Sequence, residues 1–170
     1  MSTLNHLSHA ADCPAPTLYR WVSQGVVHLD GGRAGRGRAR LNLTGGDALR
    51  LCACAGLTKL GLPHGPAGAL ANRLSLTPPN VIEADGRRVP VGSAMIAWPD
   101  SDGAWNGLIG SVEDGAKIAR RPDVPGLVIL PLDRPLAQVE QAAQAERDAA
   151  SSPDQNGWSR AFRRADGDHR

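Results

Sequence analysis

Cys13-Pro14-Ala15-Pro16-Thr17-Leu18-Tyr19-Arg20-Trp21-Val22-Ser23-Gln24-Gly25-Val26-Val27 is the stretch on which the reading of this chain turns. Leu18, Trp21 and Val22 stand at i, i+3 and i+4, so they share one stripe of a helix. Thr17, Tyr19, Arg20, Ser23 and Gln24 are left for its other sides. Pro14 lacks a backbone N–H and ends whatever helix precedes it, while Pro16 suits the first turn of the next one. Gly25 falls where a helix terminus calls for positive φ. Upstream, Leu4, Leu7, Ala10 and Ala11 recur at helical spacing and predict a short helix over 3–11. Two short helices joined by a tight turn, the second one two-faced, are therefore expected.

Downstream, Val26 to Leu29 alternate and predict a short strand. Asp30-Gly31-Gly32 is a turn signal, and Ala39 to Leu43 predict the returning strand. Between them lies Arg33-Ala34-Gly35-Arg36-Gly37-Arg38, a cationic loop with glycines at its spacers. Thr44 followed by Asp47 has the spacing of a capping box, with Asp in place of the usual Glu or Gln. The helix it opens, about 45–60, is apolar nearly all round and should be buried. Gly61-Leu62-Pro63 stops it, and Pro66 to Leu74 predict one more short helix.

In this order of elements the segment from about 4 to 74 resembles the winged helix-turn-helix domain of the MerR family and the related phage excisionases. The residues that carry the likeness are Leu7, Ala10 and Ala11; then Thr17-Leu18-Tyr19-Arg20-Trp21; then Gly25-Val26-Val27; and Thr44 with Asp47-Ala48-Leu49-Arg50-Leu51. The resemblance implies a second helix lying in the major groove and a hairpin wing reaching the DNA backbone or the minor groove. Thr17, Tyr19, Arg20, Ser23 and Gln24 would then face base edges, with Arg33, Arg36, Arg38 and Arg40 on the wing. Three departures limit it. Pro14, Ala15 and Pro16 stand where the family offers a hydroxyl cap, and Leu43 stands where its wing ends in an aromatic. No sustained heptad follows residue 75 to form the family's dimerising coiled coil, so metal or drug sensing does not carry over.

Charge is distributed in keeping with a nucleic-acid partner for one half only. The 170 residues carry a net +2, but residues 1–75 hold eight Lys/Arg against three acids, a net of +5. Residues 76–148 hold seven against eleven, a net of −4. A basic first half joined to an acidic second half points to a polyanion met by the first alone. No apolar run approaches the roughly 18 residues of a membrane span, and the first eleven residues lack the order of a signal peptide. Three cysteines, an odd number, argue against a disulfide framework. A cytoplasmic protein with no membrane partner is expected.

Thr77-Pro78-Pro79 predicts a boundary. Beyond it Val81–Ile82, Met95 to Trp98, Trp105 to Ile109 and Leu127 to Leu130 read as strands, and Leu136 to Ala149 as a helix. The expected organisation is α+β: a winged helix-turn-helix domain over 1–76, a small α/β or β-rich dimerisation domain over 78–148, and a disordered tail over 149–170. In the tail, Trp158 and Phe162 stand four apart among arginines and could form one turn against a protein partner.

Other clusters point to no chemistry. Cys52 and Cys54 lie two apart, on different faces of a helix, and with Cys13 read as small buried hydrophobes. His6, His9, His28 and His64 form no ligand set, and Asp100, Asp102, Glu113 and Asp114 read as a solvated acidic face. Walker, nucleophile-elbow and HExxH motifs are absent from the sequence. The expected function is a sequence-specific DNA-binding transcriptional regulator, bacterial or phage, dimeric, with no catalytic residue, metal or cofactor. The alternatives are an architectural factor of a mobile element (an excisionase or packaging small subunit) and an interaction adaptor whose helix-turn-helix no longer binds DNA. Ligand sensing by 78–148 has no support in the sequence.

Overall fold

The computed structural model describes residues 4–31, 43–77 and 81–151. Two helices open the chain, α1 (Leu4–Ala11) and α2 (Ala15–Ser23). The helices α3 (Gly45–Lys59) and α4 (His64–Ala71) follow. A three-stranded antiparallel sheet comes next: β1 (Leu74–Thr77), β2 (Val81–Ala84) and β3 (Arg87–Arg88), in that order across the sheet. A second sheet contains β4 (Ser93–Pro99), β5 (Trp105–Ser111) and β6 (Val128–Pro131), ordered β5-β4-β6 with both pairings antiparallel. The helix α5 (Val112–Ala119) links β5 to β6, and α6 (Asp133–Ser151) closes the described chain. The architecture is mixed helix and sheet, compatible with α+β, and no described helix is long and apolar enough to cross a membrane.

The helix α3 is the centre of the packing. It opens with the expected capping box: Thr44 Oγ1 accepts the Asp47 N–H at 3.1 Å, and Asp47 Oδ2 accepts the Thr44 N–H at 2.9 Å. From Gly46 to Ala55 every residue is buried, as an all-round apolar helix requires. Its neighbours are α1, α4, α6, β1 and β6. Two of its glycines let these come close. Built as alanine, Gly45 would put its Cβ 3.1 Å from the Leu76 side chain, and Gly56 would put its Cβ 3.0 Å from Leu130.

The expected boundary after Thr77 is not a break in packing. Leu74, Ile82, Met95, Leu130, Leu132, Val139 and Ala142 share one core with Leu7, Leu18, Leu51 and Leu57. The strands β1 and β2 pair across it, from Leu74↔Ala84 to Thr77↔Val81, and α6 packs on α1 and α3. The strand β4 is buried on both faces. Met95 and Ala97 join the main core, and Ala94 and Ile96 join a smaller cluster with Ile118 of α5.

Several local expectations are corrected. Val26 to Leu29 form no strand; after α2 the chain turns and bends there. The last expected helix runs His64–Ala71, and Leu74 begins β1 instead of ending it. The helix α5, β1 and β3 were not anticipated, and α6 runs on to Ser151, past the expected edge of the tail. Arg33, Arg36, Arg38 and Arg40 lie outside the described residues, as do Trp158 and Phe162.

Candidate nucleic-acid interface

The candidate site is built on α2 and the two turns that bracket it. At its start Pro14 stands as N-cap with φ −55 and ψ 132 and supplies no side-chain cap. Its carbonyl accepts the Thr17 N–H at 2.8 Å and the Leu18 N–H at 3.2 Å, so the first turn closes without the missing hydroxyl. At its end Gly25 takes φ 73. The Gly25 N–H donates to Val22 O at 3.2 Å and the Val26 N–H to Trp21 O at 2.8 Å, the paired bonds of a Schellman termination.

Between these caps the two faces separate as the spacing predicts. Leu18, Trp21 and Val22 are buried. Tyr19 is 56% exposed, a large aromatic left facing solvent, and Arg20, Ser23 and Gln24 are exposed beside it. Thr17 is half-buried at the edge. The Ser23 hydroxyl donates to Arg20 O at 2.9 Å, while the Arg20 guanidinium has no ion pair among the described residues.

The turn between α1 and α2 is braced from α3. Lys59 Nζ donates to Ala11 O at 3.0 Å and pairs with Asp12 Oδ2 at 2.7 Å. That hydrogen bond, and then the charge of Lys59, hold the Asp12 carboxyl below its ordinary range. Asp12 itself sits at φ 46, a conformation in which Asp is among the few tolerated side chains.

Past α2 the chain is tied by side chains where a strand ladder was expected. Asn72 spans the gap: its Oδ1 accepts the His28 N–H at 2.9 Å and its Nδ2 donates to Val26 O at 3.0 Å. Farther on, the buried carboxylate of Asp47 accepts the Asp30 N–H at 2.8 Å through Oδ1. Together with its Thr44 bond, this single side chain ties down residues 30 and 44, the two ends of the cationic stretch. Arg50, 5% exposed, completes the network, pairing with the Asp30 carboxylate and lying 3.5 Å from Asp47 Oδ1.

The remaining chemistry-bearing residues have structural partners. Cys13, Cys52 and Cys54 are free and buried, and burial pushes both Cys52 and Cys54 up to about 12. Asp100 Oδ1 accepts the Asp102 and Ala104 N–H groups and shapes the β4–β5 turn. Asp114 pairs with Ser111 in a capping box that opens α5. Among the described residues no group of three His, Cys, Asp or Glu is placed to hold a metal ion. No family model matches the chain, and no curated protein and no solved structure matches it.

Proposed function

We infer that the chain is a sequence-specific regulator that binds double-stranded DNA, with α1 and α2 as a helix-turn-helix and α2 as the element laid in the major groove. The observation that carries this reading is the division of α2. A short helix anchored by Leu18, Trp21 and Val22 turns Tyr19, Arg20, Ser23 and Gln24 outward. Those four supply donors, acceptors and an arginine fork, the groups that base edges are read with. The turn before α2 and the chain after it are both held by side chains, from Lys59 and Asp47 of α3 and from Asn72 just past α4, so the helix is presented on a firm base. Arg33, Arg36, Arg38 and Arg40 follow directly in the sequence and add the backbone-neutralising charge of a wing. One such helix covers half a site, so a homodimer on two half-sites is the working form.

The test is selection of duplexes from a random pool on the full chain, followed by titration of selected and scrambled duplexes at several salt concentrations. The selected duplex is expected to bind at least about a thousandfold more tightly than the scrambled one. Arg20→Ala removes one bidentate guanine contact, and should cost about 1–3 kcal/mol on the selected duplex while changing the scrambled one by little beyond a single phosphate's worth of salt dependence. No enrichment from the pool, or equal losses on both duplexes, refutes the assignment of α2.

A further inference from the structure

Away from α2, a cleft of about 660 Å³ runs between the β2–β3 hairpin and the junction of β5 with α5. The hairpin tip is firm. Asp85 and Gly86 take φ 50 and φ 74, the paired positive values of a tight hairpin turn. Arg73 pins that tip to the second sheet, its Nε donating to Asp85 Oδ2 at 2.9 Å and its Nη1 to Gly107 O at 3.1 Å.

Three arginines and two aspartates line the cleft. The two carboxylates are already occupied. Asp85 is hydrogen-bonded to Arg73, and those bonds, with the lesser charge effects of Arg73 and Arg87, hold its carboxyl below the ordinary range. Asp114 Oδ2 accepts the Ser111 N–H at 3.0 Å and the Ser111 hydroxyl at 2.8 Å, and its Oδ1 pairs with Lys117 at 3.2 Å. Arg87 and Arg88 are different. Both are exposed, and neither has an ion pair or side-chain hydrogen bond among the described residues. Glu83 faces Arg88 across the strands, yet its Oε1 takes the Thr77 hydroxyl at 3.4 Å instead. Positive charge is therefore left over on a hairpin pinned by Arg73, in a segment whose net charge is negative.

We propose that this cleft binds the phosphate group of a small phosphorylated molecule, gripped by Arg87 and Arg88. Guanidinium forks match phosphate oxygens in pairs. Consecutive residues leave a strand on opposite faces, but β3 is the edge of its sheet and both arginines line the cleft. The assignment is independent of the DNA reading, since it shares no residue with α2. It gives the acidic half of the chain a ligand that its average charge conceals.

The probe is pyrophosphate, titrated into the isotopically labelled full chain at constant ionic strength, with potassium chloride as the matched control. Saturable amide shifts are expected at residues 84–92 and 109–114, with a millimolar or tighter dissociation constant. Arg87→Ala/Arg88→Ala should weaken binding at least about tenfold with an unchanged melting temperature, because neither side chain supports the fold. The paired lysine variant, which keeps charge and loses the fork, should fall between. Shifts that chloride reproduces, or that the double alanine variant retains, overturn the proposal. A duplex arm separates the sources of phosphate: if the double alanine variant loses DNA and pyrophosphate in parallel, the arginines are backbone contacts and the small-molecule site is wrong. A chain that binds no DNA at all sinks the regulator reading, and the pyrophosphate arm still decides this one.

Discussion

Removing the Asp47 carboxylate should destabilise the protein far more than the loss of a helix cap does. Asp47 is fully buried and accepts two backbone N–H groups, those of Asp30 at 2.8 Å and Thr44 at 2.9 Å. Loss of a cap costs about 1 kcal/mol. Leaving buried backbone N–H groups without their acceptor costs about 1–3 kcal/mol each, and Asp47 serves two of them. Arg50, 5% exposed, loses in addition the farther of its two carboxylates. Its other partner, Asp30, has a side chain 64% exposed and screened by water, so it compensates only in part. Asp47→Ala is accordingly expected to cost about 3–5 kcal/mol, a large share of the ~5–15 kcal/mol that holds a typical domain together. Arg50→Met in the same background removes the charge that has lost one of its two carboxylates. The double variant should be less destabilised than the two single losses added together, by about 1–3 kcal/mol. Urea unfolding followed through tryptophan fluorescence, at an unchanged denaturant slope, measures all three. A single-variant loss under about 1 kcal/mol, or additivity within about 0.5 kcal/mol, would refute the buried-network account and leave only an ordinary cap.

Two glycines of α4 make opposite predictions for the same substitution. Gly68→Ala would place a Cβ 2.3 Å from Val26 O, the carbonyl that Asn72 also binds, and must shift backbone; a loss of about 1–3 kcal/mol is expected. Gly65→Ala meets nothing within 4 Å and should gain up to about 1 kcal/mol from helix propensity, so thermal melts of the pair that move the same way would show that α4 does not approach Val26 as described. For the thiols, folded Cys52 and Cys54 ionise near 12 against an ordinary value of 9.0. Their folded values are raised, so the stability they contribute is complete below pH 9.0 and is lost as pH climbs from there toward 12. Denaturation midpoints taken at rising pH check that decline, and reaction of the native chain with a thiol reagent at neutral pH should run at least about a hundredfold slower than after unfolding. Rapid labelling of either residue would contradict its burial.

What could be read from the sequence was what neighbours in the chain decide. The Leu18, Trp21, Val22 stripe and the Gly25 termination depend on residues at most five apart, and both stand as expected. The Thr44–Asp47 box was equally local. The second bond of Asp47, to an N–H 17 residues upstream, had no local mark. The same box spacing stands at Ser111 and Asp114, where the neighbouring acidic residues mask it by reading as a solvated face. Val26 to Leu29 show the opposite failure. Their alternation is a genuine strand signal, yet a strand needs a ladder, and Asn72, 46 residues from Val26, takes its backbone carbonyl instead.

The proline pair after Thr77 has a related blindness. It marks a boundary in the sequence and carries no sign of how the strands on either side pair. Leu76 meets Gly45 some thirty residues back and makes β1 part of the α3 core. Side chains from both halves of the sequence therefore share the main core. The sum of the second half's charges concealed the cleft for the same reason. Seven bases and eleven acids in 76–148 average to a negative segment, but Asp85 and Asp114 are spent on Arg73, Ser111 and Lys117. The charge that remains available in the cleft is that of Arg87 and Arg88. A ligand meets the charges that pairing has left over, and those are set by tertiary contacts that composition does not record.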